Sequence, residues 1–280
     1  MHGTFYEAED FGAQRTMAAI SSVLDEQIEQ PVMQAPPADV VTLPCGLMVP
    51  GEAVITTAQV RELTGLAEEA IARAATSSGR GERALAALLE HGVVKLGRLE
   101  ATDKLLNQLT IGDRDCLVLE IRRMTYGDTI EYERWVCPEC QGEFELSVSL
   151  DDIPVVTSDE PGKNTLTVPL RKGRTATVRM ATGADQDAIS QTKAKTGAEI
   201  DTELLMRTVM SVTDVNGNEH STVGNRQAVR EQMSMADRAS ILKAIRKQRP
   251  GPRLDEVKVT CPDCGESKEI TVTLDALFQS

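Results

Sequence analysis

The chain has 280 residues, 41% of them hydrophobic, which is enough to bury a core in one large or two modest domains. Its formal net charge of −13 disfavours binding to a phosphate backbone and favours neutral or basic protein surfaces. No apolar run approaches the ~18 residues of a membrane span, so we expect no membrane insertion. The N-terminus shows no secretory signal, so we expect a cytosolic protein with reduced cysteines.

The first predicted element is an N-terminal helical arm. Residues 8–30 show a moderately amphipathic pattern of helical period. The apolar face of this pattern includes Met17, Ile20, Leu24 and Ile28. The proline-containing segment PVMQAPPADV then predicts a stiff linker. We therefore assign residues 1–40 to an arm and its linker.

Two hairpins are predicted further along the chain. The segment VTLPCGLMVPGEAVITTAQV (41–60) has the pattern of a strand, a turn and a strand, and LTVPLRKGRTATVRM (166–180) repeats that pattern. At the end of each hairpin, VRELTG (60–65) resembles VRMATG (178–183). The two regions therefore share both their predicted structure and a short sequence block.

A predicted helix follows each hairpin region. The segment TIGDRDCLVLEIRR (110–123) aligns with SMADRASILKAIRK (234–247). Each begins with a hydroxyl residue three positions before an aspartate, which indicates a capped N-terminus with an acidic partner. These pairs are Thr110 with Asp113 and Ser234 with Asp237. Apolar residues at helical spacing predict one buried face on each helix: Leu117, Val118 and Ile121, and then Ile241, Leu242 and Ile245.

Each half of the chain ends in a predicted hairpin that carries two cysteines. The motif CPEC contains Cys137 and Cys140, and CPDC contains Cys261 and Cys264, at an offset of 124, the difference between 261 and 137. In both copies the residues after the cysteines alternate between apolar and polar, as in a half-buried strand.

We predict an α+β fold from these repeated blocks. It consists of a tandem duplication of a hairpin–helices–hairpin unit, over residues 41–155 and 164–280. A zinc-ribbon-like site made by the two CPxC motifs would join the two units.

Four thiolates from two CxxC pairs can close one structural, tetrahedral zinc site. The predicted ligands are Cys137, Cys140, Cys261 and Cys264. Other interpretations are that each pair finds ligands elsewhere, or that the motifs are metal-free or redox-active. A thioredoxin-type motif requires a helix at the second cysteine, whereas a strand is predicted here. Cys45 and Cys116 lie outside the motifs and are predicted to be small packing residues.

The sequence shows no catalytic constellation. Only His2, His91 and His220 are present, and none accompanies a nucleophile motif or a second metal ligand. The Asp-Arg pair in each predicted helix lies in its first turn, which favours capping over catalysis. We therefore predict a protein that is not an enzyme and has no small-molecule substrate.

The order of motifs in the first unit resembles the T4-type phage baseplate hub assembly protein family. The motifs are LPCGLMV, VRELTG, TIGDRDCLVLEIRRMTYG and a CPEC hairpin that ends in SLDD. The most specific elements are Ile111-Gly112-Asp113-Arg114 and Tyr126-Gly127. The resemblance covers about residues 41–153. The second unit lacks the glycine of the IGDR motif and the Tyr-Gly pair.

The resemblance implies a non-enzymatic structural or assembly role in the baseplate hub of a contractile phage tail or a related injection system. The implied partners are other hub, spike, tube or wedge proteins, and the apolar face of the arm could enter a groove on one of them. Such a protein would be made in the bacterial host cytoplasm and would reside in the virion tail, unless it is a transient assembly chaperone. The alternative is a zinc-ribbon adaptor for nucleic acid or transcription, which the acidic charge disfavours.

Overall fold

The structure, a computed structural model, describes residues 38–76 and 80–278. The predicted arm and its apolar face therefore lie outside the described residues. No helix within the described ranges has the length and hydropathy that crossing a bilayer requires. The elements are mixed helices and antiparallel strands, so the α+β prediction is confirmed at this level.

The N-terminal half, residues 39–156, begins with a four-stranded antiparallel sheet in the order β1-β2-β3-β4. Its first two strands form the predicted hairpin, and two helices lie between β2 and β3. The short hairpin of β3 and β4 was not predicted. The elements are β1 (Asp39–Leu47), β2 (Ile55–Val60), α1 (Gly65–Ala75), α2 (Arg80–Gly92), β3 (Val93–Leu96) and β4 (Leu99–Glu100).

The N-terminal half continues with its central helix and a two-stranded ribbon. The predicted N-cap is confirmed, because the Thr110 hydroxyl accepts a hydrogen bond from the Asp113 backbone N–H. Gly127, at φ 86°, ends the helix in a conformation that favours glycine. The elements are α3 (Asp103–Leu106), α4 (Ile111–Tyr126), β5 (Thr129–Val136), β6 (Glu143–Ser149), a 3₁₀ turn (Leu150–Asp152) and β7 (Val155–Val156).

The C-terminal half, residues 165–278, contains a second four-stranded antiparallel sheet, in the order β11-β10-β9-β8. Two helices again lie between its second and third strands. Its first two strands form the second predicted hairpin. The elements are β8 (Thr165–Pro169), β9 (Thr175–Arg179), α5 (Gly183–Ser190), α6 (Gly197–Thr208), β10 (Val209–Thr213), β11 (Glu219–Ser221) and a π-helical turn (Ala228–Gln232).

The second capped helix and the second ribbon complete the described chain. The Ser234 hydroxyl accepts a hydrogen bond from the Asp237 backbone N–H, so this predicted N-cap is also confirmed. A short strand after the helix pairs with β7, which joins the two halves through backbone hydrogen bonds. The elements are α7 (Met235–Gln248), β12 (Gly251–Pro252), β13 (Val257–Thr260), β14 (Ser267–Ile270) and α8 (Leu274–Phe278).

The apolar cores do not follow the order of the chain. The smaller core contains residues of the C-terminal half alone, from Val168 to Ile245. The larger core lies in the N-terminal half, but it also includes Val257, Val259, Val272 and Leu277 from the end of the chain. The C-terminal ribbon and α8 therefore pack against the N-terminal half, where hydrophobic burial stabilises them.

Candidate metal centre

The first cysteine motif forms a tight knuckle at the tip of the β5–β6 ribbon. The backbone N–H of Gln141 donates to the carbonyl of Cys137 over 2.9 Å, and the N–H of Cys137 donates to the carbonyl of Gly142 over 2.9 Å. These two bonds close the turn and fix the direction of both cysteine side chains.

The second knuckle, at the tip of β13–β14, repeats both bonds. The N–H of Gly265 donates to the carbonyl of Cys261 over 2.9 Å, and the N–H of Cys261 donates to the carbonyl of Glu266 over 2.9 Å. The local chain geometry at the two cysteine pairs is therefore the same.

The exit turn of each knuckle requires a positive φ, but glycine supplies it only once. Gly265 has φ 73°, whereas Gln141 occupies the matching position at φ 60°. Gly142, one position later, does not have a positive φ. Gly142 instead allows a close approach between the knuckles, because an added Cβ would lie 2.3 Å from Oδ2 of Asp263.

The four sulfur atoms form one cluster. Sγ of Cys137 lies 3.8 Å from Sγ of Cys264, and Sγ of Cys140 lies 3.7 Å from Sγ of Cys261. All four sulfurs lie within 4.8 Å of one another. A tetrahedron with zinc–sulfur distances of about 2.3 Å has sulfur–sulfur edges of about 3.8 Å, so the cluster fits one such ion. The spacing is too long for disulfides, whose sulfurs lie about 2.05 Å apart.

One matching family model decides the wider class of the protein. The model for the T4 bacteriophage base plate protein matches residues 66–278, which is more than half of the chain and includes both knuckles. The chain belongs to this family. No curated protein and no solved structure is significantly similar to it. Membership implies a structural role in a phage tail baseplate, with other tail proteins as partners, and confirms the predicted family.

The thiols of the cluster in this baseplate protein differ in how readily they lose a proton. Backbone N–H groups of Cys140 and Glu139 lower the pKa of the Cys137 thiol to about 7. The N–H of Glu266 also lowers the pKa of the Cys264 thiol, but desolvation and the neighbouring thiols raise it to about 12. One sulfur therefore ionises readily, whereas another needs positive charge nearby, which a divalent metal ion provides.

An ion pair beside the cluster also joins the two knuckles. Nζ of Lys268, on β14, lies 2.6 Å from Oε1 of Glu139 in the first knuckle. Contact with Glu139 raises the pKa of the Lys268 amine, so the amine stays charged. No local sequence pattern predicted this pair. The residues near the two cysteine pairs have opposite charges, but this predicts an ion pair only when the two knuckles are known to be in contact.

The two other cysteines have no place in the cluster. Cys45 is fully buried, and burial raises the pKa of its thiol to about 11. Burial likewise raises the pKa of the Cys116 thiol to about 12, and its Sγ lies 3.7 Å from the carbonyl oxygen of Thr42. Both side chains therefore remain protonated and packed, as predicted.

The first-turn aspartates of α4 and α7 connect each helix to its hairpin. Oδ1 of Asp113 accepts a hydrogen bond from the N–H of Cys45 over 2.7 Å, and Oδ1 of Asp237 accepts one from the N–H of Arg171 over 2.8 Å. The donating residue directly follows the proline of the hairpin's first strand for Cys45 and lies one residue further for Arg171. The caps themselves are made by the Thr110 and Ser234 hydroxyls, and the two aspartate carboxylates in addition bond each helix to its hairpin.

Proposed function

We propose that this protein is a non-enzymatic component of the baseplate hub that holds neighbouring tail proteins in fixed geometry. In this proposal one zinc ion, bound by Cys137, Cys140, Cys261 and Cys264, staples the two halves of the scaffold. The observation that carries the proposal is the single cluster of four sulfurs, contributed equally by two distant knuckles.

The chemistry of the site supports a structural ion. Four thiolates select zinc or iron over harder cations, and a closed tetrahedral zinc site offers no open position for a reacting water. The bound ion would supply a cross-link between the ribbons. Because metal binding is coupled to folding, this cross-link would stabilise the joined halves by several kcal/mol.

We further propose that the two halves arose by tandem duplication of a unit over residues 41–155 and 164–280. Three likenesses support this: the matching order of strands and helices, the equivalent aspartate contacts, and the identical knuckle hydrogen bonds. In this proposal the segment before β1 forms a separate arm with its linker. Its face of Met17, Ile20, Leu24 and Ile28 would bind an apolar groove on a neighbouring tail protein.

Metal analysis of the purified full chain tests the staple. We expect one zinc per chain with four sulfur ligands by X-ray absorption. Cys261→Ser should release the zinc and separate the unfolding of the two halves, whereas Cys116→Ser should retain one zinc per chain. Unchanged zinc in Cys261→Ser, or two ions per chain, would show that the knuckles do not share an ion.

Mass spectrometry of isolated phage tails and of their assembly intermediates tests the baseplate role. We expect the protein in both, as a permanent component. Its presence in intermediates alone would make it an assembly chaperone. Its absence from both, together with binding to immobilised DNA at moderate salt, would support the nucleic-acid adaptor instead.

A further inference from the structure

A groove with a volume of about 500 Å³ lies at the seam between the two halves, away from the sulfur cluster. Its walls are the N-terminal part of α4, the residues after β9, the helices α6 and α7, and the segments just before and just after the C-terminal ribbon. This volume is within the range of about 300–1,000 Å³ that is typical of ligand sites. The seam therefore offers a preformed recess in the described part of the chain.

The lining of the groove is mainly apolar. Apolar side chains come from α6, from α7 and from the segments on either side of the ribbon, including Leu204, Leu242, Ile245, Leu254 and Val272. Leu204 and Leu242 are only half-buried, so a bound apolar side chain would remove further apolar surface from water.

The charged residues of the groove leave an excess of carboxylates. Asp115 pairs with Arg249 at 3.4 Å, and burial raises the pKa of the Asp115 carboxyl to about 6 despite that pair. Asp201 and Asp255 also line the groove, and neither has an ion-pair partner among the described residues. The guanidinium of Arg246 likewise lacks one. Among the described residues, the groove lining therefore includes two carboxylates and one guanidinium that form no ion pair.

We propose that this groove binds a segment of a neighbouring tail protein that combines apolar side chains with lysine or arginine. The apolar side chains of the segment would contact the apolar residues that line the groove, and its lysine or arginine side chains would pair with Asp201 and Asp255. The chain's net charge of −13 attracts such a basic segment from a distance. The proposal rests on the baseplate role and specifies where one partner is held.

Site-specific photo-crosslinking tests the occupant. A benzophenone amino acid replaces Thr271, an exposed residue of the groove, or Glu90, an exposed residue of α2 that does not line it. Tails, or the assembly intermediates that contain the protein, are then irradiated and digested. We expect the Thr271 position alone to cross-link to a segment of another tail protein with apolar residues and a net positive charge.

The reversal of two charges provides the second measurement. In full-length protein with the crosslinker at position 271, the pair Asp201→Lys and Asp255→Lys should lower the cross-link yield at least tenfold. The pair Glu69→Lys and Glu90→Lys makes a matched double reversal at exposed positions outside the groove and should leave the yield unchanged.

Three results would overturn the proposal: no cross-link from position 271, a cross-link within the same chain, or an acidic partner segment. Equal yields for the charge-reversed pair and the control would also overturn it. A protein that is present in tails but fails these tests refutes the groove alone. Absence from tails and intermediates refutes the baseplate role itself.

Discussion

The helices α4 and α7 share a sequence block and a capping arrangement, yet they occupy different environments. In α4, eight of the sixteen residues are buried, including Gly112, Asp113 and Arg114. In α7, only Asp237, Ile241 and Ile245 of fourteen residues are buried. The first helix is therefore central to the molecule, whereas the second lies at its edge. The same local motif therefore occurs in two different packing environments.

The first-turn aspartates of the two helices also differ, because their carboxyl pKa values shift in opposite directions. Asp237 forms an ion pair with Arg174 at 2.7 Å. Despite burial, hydrogen bonds from the Arg171 N–H and the Ser234 hydroxyl, together with the charge of Arg174, lower the pKa of the Asp237 carboxyl. Burial raises the pKa of Asp113, although the N–H of Cys45 and the Thr110 hydroxyl donate to it. Similar hydrogen bonds therefore accompany a lowered carboxyl pKa in α7 and a raised carboxyl pKa in α4.

The largest difference in stability between variants of the two helices is expected from exchanging glycine and alanine at the second position of each helix. In Gly112→Ala, the new Cβ would lie 1.7 Å from the carbonyl oxygen of Pro250, so backbone must move. We expect a loss on the order of 3 kcal/mol in the free energy of unfolding. Ala236→Gly, at the exposed matching position of α7, should cost about 0.5–1 kcal/mol. Urea denaturation measures both, and equal losses would contradict the central placement of α4.

Replacing the two aspartates should separate their electrostatics. Asp237→Asn leaves the Arg174 guanidinium without its carboxylate and should cost about 2 kcal/mol at pH 7, whereas Asp113→Asn should cost about 1 kcal/mol. The lowered pKa of Asp237 gives stability that is present above its ordinary value of 3.8 and lost as pH falls through the lowered pKa.

The pH dependence of Asp113 has the opposite sign. Because its pKa is raised, protonation favours the folded state, and its contribution becomes less favourable as pH rises from 3.8 through the raised pKa. Stability measured from pH 3 to pH 7 in each variant checks these signs. A matching pH profile for the two variants would contradict the contrast.

A smaller effect is expected at the glycines that begin α1 and α5. An added Cβ at Gly183 would lie 2.1 Å from Nη1 of the buried Arg114, whereas nothing lies within 4 Å of one at Gly65. Gly183→Ala should cost about 1.5 kcal/mol because Arg114 has little room to move. Gly65→Ala should stabilise α1 by about 0.5 kcal/mol. Thermal unfolding distinguishes them, and two stabilising changes would show that Arg114 adapts freely.

The smallest effect concerns the exit turns of the knuckles. Gln141→Gly relieves a side chain at φ 60° and should stabilise the protein by about 0.5 kcal/mol, whereas Gly265→Gln introduces that strain and should cost about 1 kcal/mol. Zinc content should remain unchanged in both variants. Equal effects of the same sign in unfolding experiments would show that the two turns are not equivalent.

Much of the site followed from local patterns. The spacing of Cys137, Cys140, Cys261 and Cys264 identified four candidate ligands, and the hydroxyl–aspartate pairs identified two helix starts. The short hairpin of β3–β4 escaped detection because strands of four and two residues carry too little periodic signal. The ion pair between Glu139 and Lys268 escaped because it depends on a contact between distant segments.

The sequence by itself determined the elements whose causes are local: the capped helices, the paired hairpins and the cysteine knuckles. Their signals lie within a few residues, where backbone hydrogen bonds and apolar periodicity act. Only the tertiary structure decided that the C-terminal ribbon joins the core of the N-terminal half, that Gly112 faces Pro250 and Gly251, and that a groove opens at the seam. Those features depend on shape and burial between segments that are far apart in the chain, which no local pattern encodes.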